Sequence, residues 1–288
     1  MLSTRFFRFF RHLRLKTFKK VIQEIGRQRL IGLSAEMAYN NLLALFPGLV
    51  AILAAIGMLD ISLEQVDFLG RQVIKVAPEP VLMLIQEFLN TIRLPQGGRV
   101  VLISCALALW VASGALNTAM SALDQIYQIS PNQRRPFWKA KLVALALTLG
   151  TVILVMFASF LVFVSDLAIR FALGIAGIPA AGILSIWNLF DWALTLVILA
   201  FAFSLVYRYG PSHWRRGTPL LPGAIVGALL WQGFSSLFRV YITRFSNYNV
   251  TYGTLSAGVV LLLWLNFSSL CMLIGAQFNI TVGEDMKR

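Results

Sequence analysis

FSNYNVTYGTLSAGVVLLLWLNFSSLCMLIGAQFNITVG, residues 245–283, runs for 39 residues without a single Asp, Glu, Lys or Arg. A bilayer core takes about 20 apolar residues per helix, so this stretch is long enough to cross it. Five more windows share the property: 37–59, 100–123, 142–165, 171–190 and 217–238, each of 20 to 24 residues. Across the whole chain, 58% of residues are hydrophobic and 13% charged. Soluble domains run at roughly 45–50% and 25%, which excludes the ordinary soluble classes. The expected fold is all-α: a polytopic membrane protein with six transmembrane helices, near 33–59, 100–125, 142–165, 184–207, 219–241 and 254–280.

Around these spans the chain divides into a basic amphipathic segment (1–30), a transmembrane region (31–281) and a short tail (282–288). Within the transmembrane region, residues 60–98 mix acids, bases and regularly placed aliphatics, and Pro78 and Pro80 divide them into two amphipathic surface helices. A breaker-rich turn is expected around Gly174, Gly177, Pro179 and Gly182, either re-entering the membrane or not. A tyrosine- and asparagine-rich loop is expected over 242–253.

Lys and Arg number 25 against 12 acids, a net charge of +13. Nine of the basic residues lie in the first 30 positions, and 128–141 and 208–218 add four and three. The opposite connections carry little net charge: 60–99 has four bases and five acids, Asp166 and Arg170 cancel, and 242–253 holds Arg244 alone. That distribution is a positive-inside pattern and predicts both termini in the cytoplasm. The N-terminal mix of Phe, Leu and Ile with Arg and Lys suits an interfacial helix on anionic headgroups, or a solvated basic tail. A nucleic-acid partner is not expected, nor is a cleaved leader, because the basic stretch is long and the first apolar window begins only near Leu33.

Charged and amide side chains at bilayer depth are costly, so each needs a partner or a wet cavity. Glu36, Tyr39 and Asn40 share one side of the first span. Trp110, Ser113, Asn117, Ser121 and Asp124 recur at intervals of three and four, forming a polar stripe down the second. Such a stripe either lines a pathway or bonds neighbouring helices. Asn188 and Asp191 lie in the fourth span, and Arg239, on the same face of the fifth as Gln232, is the expected partner of Asp191. Gly223 and Gly227 form a GxxxG step that serves either a homo-oligomer or an internal contact. Pro47 and Pro222 kink their helices or start them.

Catalytic signatures are missing from the sequence: it has no HExxH, no GxSxG and no Gly-rich phosphate loop. Cys105 and Cys271 with His12 and His213 make no metal-ligand spacing. No cofactor, metal or enzymatic activity is expected.

Glu36-Met-Ala-Tyr39 through Pro47, the Trp110–Ser113 region, Tyr207-Arg-Tyr-Gly-Pro211, Pro222-Gly-Ala with Trp231, and Asn249-Val-Thr-Tyr252-Gly253 followed by Trp264 and Gly275-Ala276 form a recognisable set of segments. Together they resemble the YihY/BrkB family of bacterial inner-membrane proteins. The resemblance covers about 25–281. It implies a six-helix plasma-membrane protein with both ends inside and no catalytic residues, although some members carry a ribonuclease label. It also implies Tyr252-Gly253 at a tight turn or an outer vestibule. The expected activity is transport or export of a small solute or lipid through a cavity bounded by spans one, two, four and five. The alternative is a non-transporting membrane scaffold or envelope factor.

Overall fold

The computed structural model describes residues 15–58, 98–176, 180–213, 220–244 and 248–285. The expected amphipathic insert at 60–98 lies outside the described residues but for its last position, as do the basic segment's first 14 residues and the end of the tail. The structure is helical throughout the described chain. Its elements are α1 (Leu15–Arg27), α2 (Leu30–Met58), α3 (Gly98–Ile126), a 3-10 turn (Pro131–Gln133), α4 (Phe137–Ala176), α5 (Ala180–Tyr209), α6 (Leu221–Arg244) and α7 (Tyr248–Asp285).

Five of these helices are long and apolar enough to cross a membrane among the described residues, over Cys105–Ile126, Phe137–Ala158, Trp192–Tyr209, Leu221–Ile242 and Ala257–Glu284. Their outer faces carry bare aliphatics and aromatics such as Leu107, Ile153, Phe157, Phe201 and Leu237. Water would not tolerate such a surface, whereas lipid tails solvate it. The protein is an all-α, multi-pass membrane protein.

Helices α2 to α7 pack in chain order, each on the next, and α7 returns to α2 to close the ring. The core sits at the end of the bundle where α3 stops. It joins Leu30 and Met37, Leu123 and Ile126, Val206 and Tyr207, and Met272 and Leu273, spaced by Ala119, Ala122, Ala224, Ala228 and Ala276. Small residues here let the helix axes approach, which drives association where lipid removes the hydrophobic incentive.

Two expectations are corrected. The breaker segment is shorter than its composition suggests, since α4 continues through Gly174 and α5 already includes Gly182. Within a helix long enough to span lipid, intrahelical hydrogen bonds outweigh a glycine's preference for turns. Likewise the expected loop at 242–253 is largely helical: α6 reaches Arg244, and α7 begins at Tyr248, taking in Tyr252 and Gly253. Helix α1 turns part of its apolar stripe onto the bundle, while Ile22 stays exposed. Val21 and Ile25 pack on Phe278 and Val282 of α7. Lys20 Nζ lies 3.1 Å from Glu284 Oε2, but both side chains are well exposed, so the apolar contact carries the docking. Pro47 lies inside α2, and Pro222 sits in the first turn of α6, where its missing N–H costs nothing.

α3 ends in a Schellman cap. Ile129 N donates to Asp124 O at 2.9 Å and Gln128 N to Gln125 O at 2.9 Å, with Gln128 at φ 53°. A non-glycine residue there carries a left-handed penalty of about 1 kcal/mol. Gln128→Gly is therefore expected to raise the melting temperature in detergent by about 2–4 °C. A fall on thermal unfolding would show that the Gln128 side chain contributes more than its backbone costs.

Candidate functional site

At the end of the bundle where α1 and the turn after α3 lie, α2 and α3 diverge around a pocket of about 200 Å³. The second turn of α2 supplies Leu33 and Glu36, three residues apart and so on one face. The last turns of α3 supply Thr118, Ser121, Ala122 and Gln125, and the turn beyond brings in Arg134. Ser121 Oγ donates to Asn117 O and Thr118 Oγ1 to Gly114 O, each at 3.1 Å. Their hydroxyl protons are thereby committed to their own helix, leaving the oxygens as acceptors. Gln125 Nε2 donates to Gln28 O at 3.1 Å, tying α3 to the α1–α2 junction. Glu36 and Arg134 are both exposed. Among the described residues neither side chain has an ion-pair partner, although they line one pocket.

The remaining sequence candidates fall into several groups. Tyr39 and Asn40 follow Glu36 along α2; Tyr39 is 58% exposed, and Asn40 Nδ2 donates to Glu36 O at 3.0 Å. Ser113 is buried with Oγ donating to Trp110 O at 2.7 Å, and Asn117 is half-buried. The stripe on α3 thus alternates between exposed and buried positions, and the hydroxyls of Ser113 and Ser121 are satisfied by backbone.

Asp124 belongs to a clamp. Its Oδ1 accepts from Ser212 N and its Oδ2 from Ser212 Oγ, both at 2.6 Å. Ser212 Oγ also accepts from Arg135 N at 3.0 Å. The Arg135 guanidinium then caps the end of α5, donating to Tyr209 O, Gly210 O and Pro211 O at 2.8–3.0 Å. A cation on the last carbonyls of a helix satisfies acceptors that have no partner within it. Beside Asp124, burial pushes the Tyr127 phenol above its ordinary value, so it stays protonated.

Gln232 is buried on α6, donating through Nε2 to Trp192 O of α5 at 3.2 Å, while its Oε1 has no partner among the described residues. Arg239 is exposed on the same helix. Asn188 and Asp191 lie in α5 and Tyr252 in α7, but their side chains are outside the described residues, and with them the expected Asp191–Arg239 pair. The α2–α3 pocket lies between the first two of the spans expected to bound a cavity, and of the described side chains Asn117 and Gln232, neither lines it.

Several polar contacts escaped the sequence reading. Lys141, assigned to a connection, is buried in the first turns of α4. Its Nζ donates to Trp110 O at 2.8 Å and lies 4.6 Å from the Trp110 ring centroid, a cation–π contact. On α7, Asn266 pairs with Ser34 of α2 at 2.7 Å, Ser269 with Asn41 at 3.2 Å, and Ser268 with Trp231 of α6 at 2.9 Å. Asn279, fully buried, accepts from Gly223 N at 2.7 Å and donates to Leu220 O at 2.9 Å, capping the start of α6 from another helix. Any one Asn or Ser in an apolar run carries no signal of its partner.

Among the described residues no three His, Cys, Asp or Glu side chains come together as a metal would require. Comparison with known proteins finds a matching family and several relatives named as membrane proteins. The family described as virulence factor BrkB matches residues 21–288. The ribonuclease-like protein YfkH of Bacillus subtilis (strain 168) is 29% identical over 255 residues, 88% of this chain and 90% of its own. A UPF0761 membrane protein of Aliivibrio salmonicida is 27% identical over 268 residues, 91% of this chain and 81% of its own. One from Vibrio parahaemolyticus is 26% identical over 275 residues, 93% and 82%. No solved structure matches. Among these relatives, the ribonuclease wording belongs to the Bacillus protein's name. With a match that takes in nearly the whole chain, this protein belongs to the BrkB family.

Proposed function

We propose that the protein is a transporter or exporter in the bacterial inner membrane, with six spans, both termini cytoplasmic, and a small lipid or lipid-like solute as substrate. The sixth span is α2, whose 29 residues carry a single charge, Glu36. The positive-inside distribution supports the orientation. The observation that carries the function is the α2–α3 pocket. Its lining is mostly polar, and along the same faces α2 and α3 go on to expose apolar side chains. A substrate that already resides in the membrane reaches such a site sideways. The close contacts of α5, α6 and α7 around Gly227 and Gly275 make the other side of the ring a poorer route.

Proteoliposomes test this. Purified protein is expected to exchange fluorescent phospholipid between leaflets, or to release a trapped solute, above empty vesicles. Ser121→Phe, which fills the pocket from an exposed position, is expected to slow that flux at least about fivefold, a barrier change near 1 kcal/mol. A second reading, the non-transporting scaffold, is favoured by the self-satisfied hydroxyls of Ser113 and Ser121. Absence of flux over a broad panel of lipids and solutes would leave that reading standing and remove the first.

A further inference from the structure

We infer that the α2–α3 pocket is a binding site for the headgroup of a zwitterionic phospholipid, with a primary ammonium at Glu36 and the phosphate at Arg134. This deepens the transport reading by naming the substrate class, but the binding it describes stands or falls by itself. The two charged residues line one space of about 200 Å³. They are farther apart than the 4.0 Å of an ion pair, and among the described residues neither has another salt-bridge partner. Opposite charges that share a pocket without meeting suit a ligand carrying both signs a few bonds apart.

Chemistry assigns the two ends. Arginine's planar guanidinium is matched to phosphate oxygens. Glu36, with the acceptor oxygens of Ser121 and Thr118 nearby, offers what an ammonium with three N–H donors requires. A purely anionic headgroup would bring a second negative charge against Glu36. The volume is below the roughly 300–1,000 Å³ of drug-sized pockets, enough for a headgroup and too little for acyl chains.

The chains have a place to lie. Deeper along the same faces, α2 exposes Tyr39 and Leu43, and α3 exposes Val111 and Leu107. A polar pocket leading onto two apolar helix faces is the outline of an amphiphile. For this reason the ligand is a lipid and not a free zwitterion.

The full chain in detergent, titrated with phosphatidylethanolamine, phosphatidylcholine and phosphatidylglycerol of matched acyl chains, gives the test by native mass spectrometry. Phosphatidylethanolamine is expected to bind at least about fivefold tighter than phosphatidylglycerol, close to 1 kcal/mol. Glu36→Gln is expected to erase that preference, and Arg134→Gln to weaken all three lipids together. Both positions are exposed, so the variants should elute and melt like wild type. Free O-phosphoethanolamine, as competitor, is expected not to displace the lipid at equal concentration; equal displacement would transfer the site to a soluble zwitterion and overturn the lipid assignment. An unchanged lipid preference in Glu36→Gln, or a preference for phosphatidylglycerol in wild type, overturns the proposal. Flux is read separately: selectivity without flux removes the transport reading alone, and flux without Glu36-dependent selectivity removes the headgroup site alone.

Discussion

Gly223→Ala is expected to destabilise the folded protein by about 3 kcal/mol or more, the upper range for overpacking in a core. A Cβ at this position would collide with the carbonyl oxygen of Gly275 and the side-chain amide of Asn279. Neither neighbour is a flexible side-chain end that can swing aside. Gly275 O is backbone of the facing helix, and Asn279 is held by its two bonds to the start of α6. The node is tightened further by Tyr207, whose hydroxyl donates to Met272 O at 2.6 Å and lies 3.2 Å from where a Cβ on Gly227 would sit. Thermal unfolding in detergent should show a melting temperature lower by roughly 6–12 °C. Gly233→Ala is the control. It lies in the same helix with nothing within 4 Å of its Cβ position, and should be neutral or raise stability by about 0.5–1 kcal/mol. If both variants melt alike, the close crossing of α6 and α7 does not exist in the membrane protein.

This node also shows what the sequence discloses and what it withholds. Gly223 and Gly227 at a four-residue interval announce a close helix contact, because only a missing side chain lets two backbones touch. Their partner, Gly275, is some 50 residues away in an unrelated pattern, so an internal contact and a homo-oligomer were equally open. The structure places the contact within the chain, between α6 and α7. The spans themselves were legible because lipid imposes a length and forbids charge, two constraints that act on each segment independently. Helix ends were less so. Gly174, Gly182 and Gly253 read as breakers in a soluble context, and all three are helical here.

The candidate site was half legible for the same kind of reason. Glu36 and Ser121 stand out because polar groups are scarce in apolar windows. That they meet, and that Arg134 joins them from beyond the end of α3, depends on how α2 and α3 cross. Lys141 shows the opposite failure: its charge placed it in a connection, whereas its long aliphatic stem carries the ammonium to the carbonyl and ring of Trp110.

Asp124 was a candidate for a polar pathway, and a pathway and a clamp make different demands on it. As a clamp it holds Ser212 by two charge-assisted bonds of 2.6 Å and is itself 6% exposed. Hydrogen bonds to a charged partner contribute about 1.5–3 kcal/mol each, so Asp124→Ala should cost about 3 kcal/mol. Ser212→Ala removes the hydroxyl but keeps the backbone N–H bond, and should cost about 1.5–3 kcal/mol. The double variant should show a coupling of about 1.5 kcal/mol, since both changes delete one contact. Thermal unfolding of the four proteins measures all three quantities. Loss of the clamp should also release the end of α5, where Arg135 is anchored on three carbonyls, and make the chain after Gly210 an earlier target for protease. A pathway role predicts the reverse: Asp124→Asn would abolish flux with the melting temperature unchanged, because a group exposed to passing solute contributes little to the fold. Flux that declines only in step with stability identifies Asp124 as the residue fastening the α3 terminus to the α5–α6 connection.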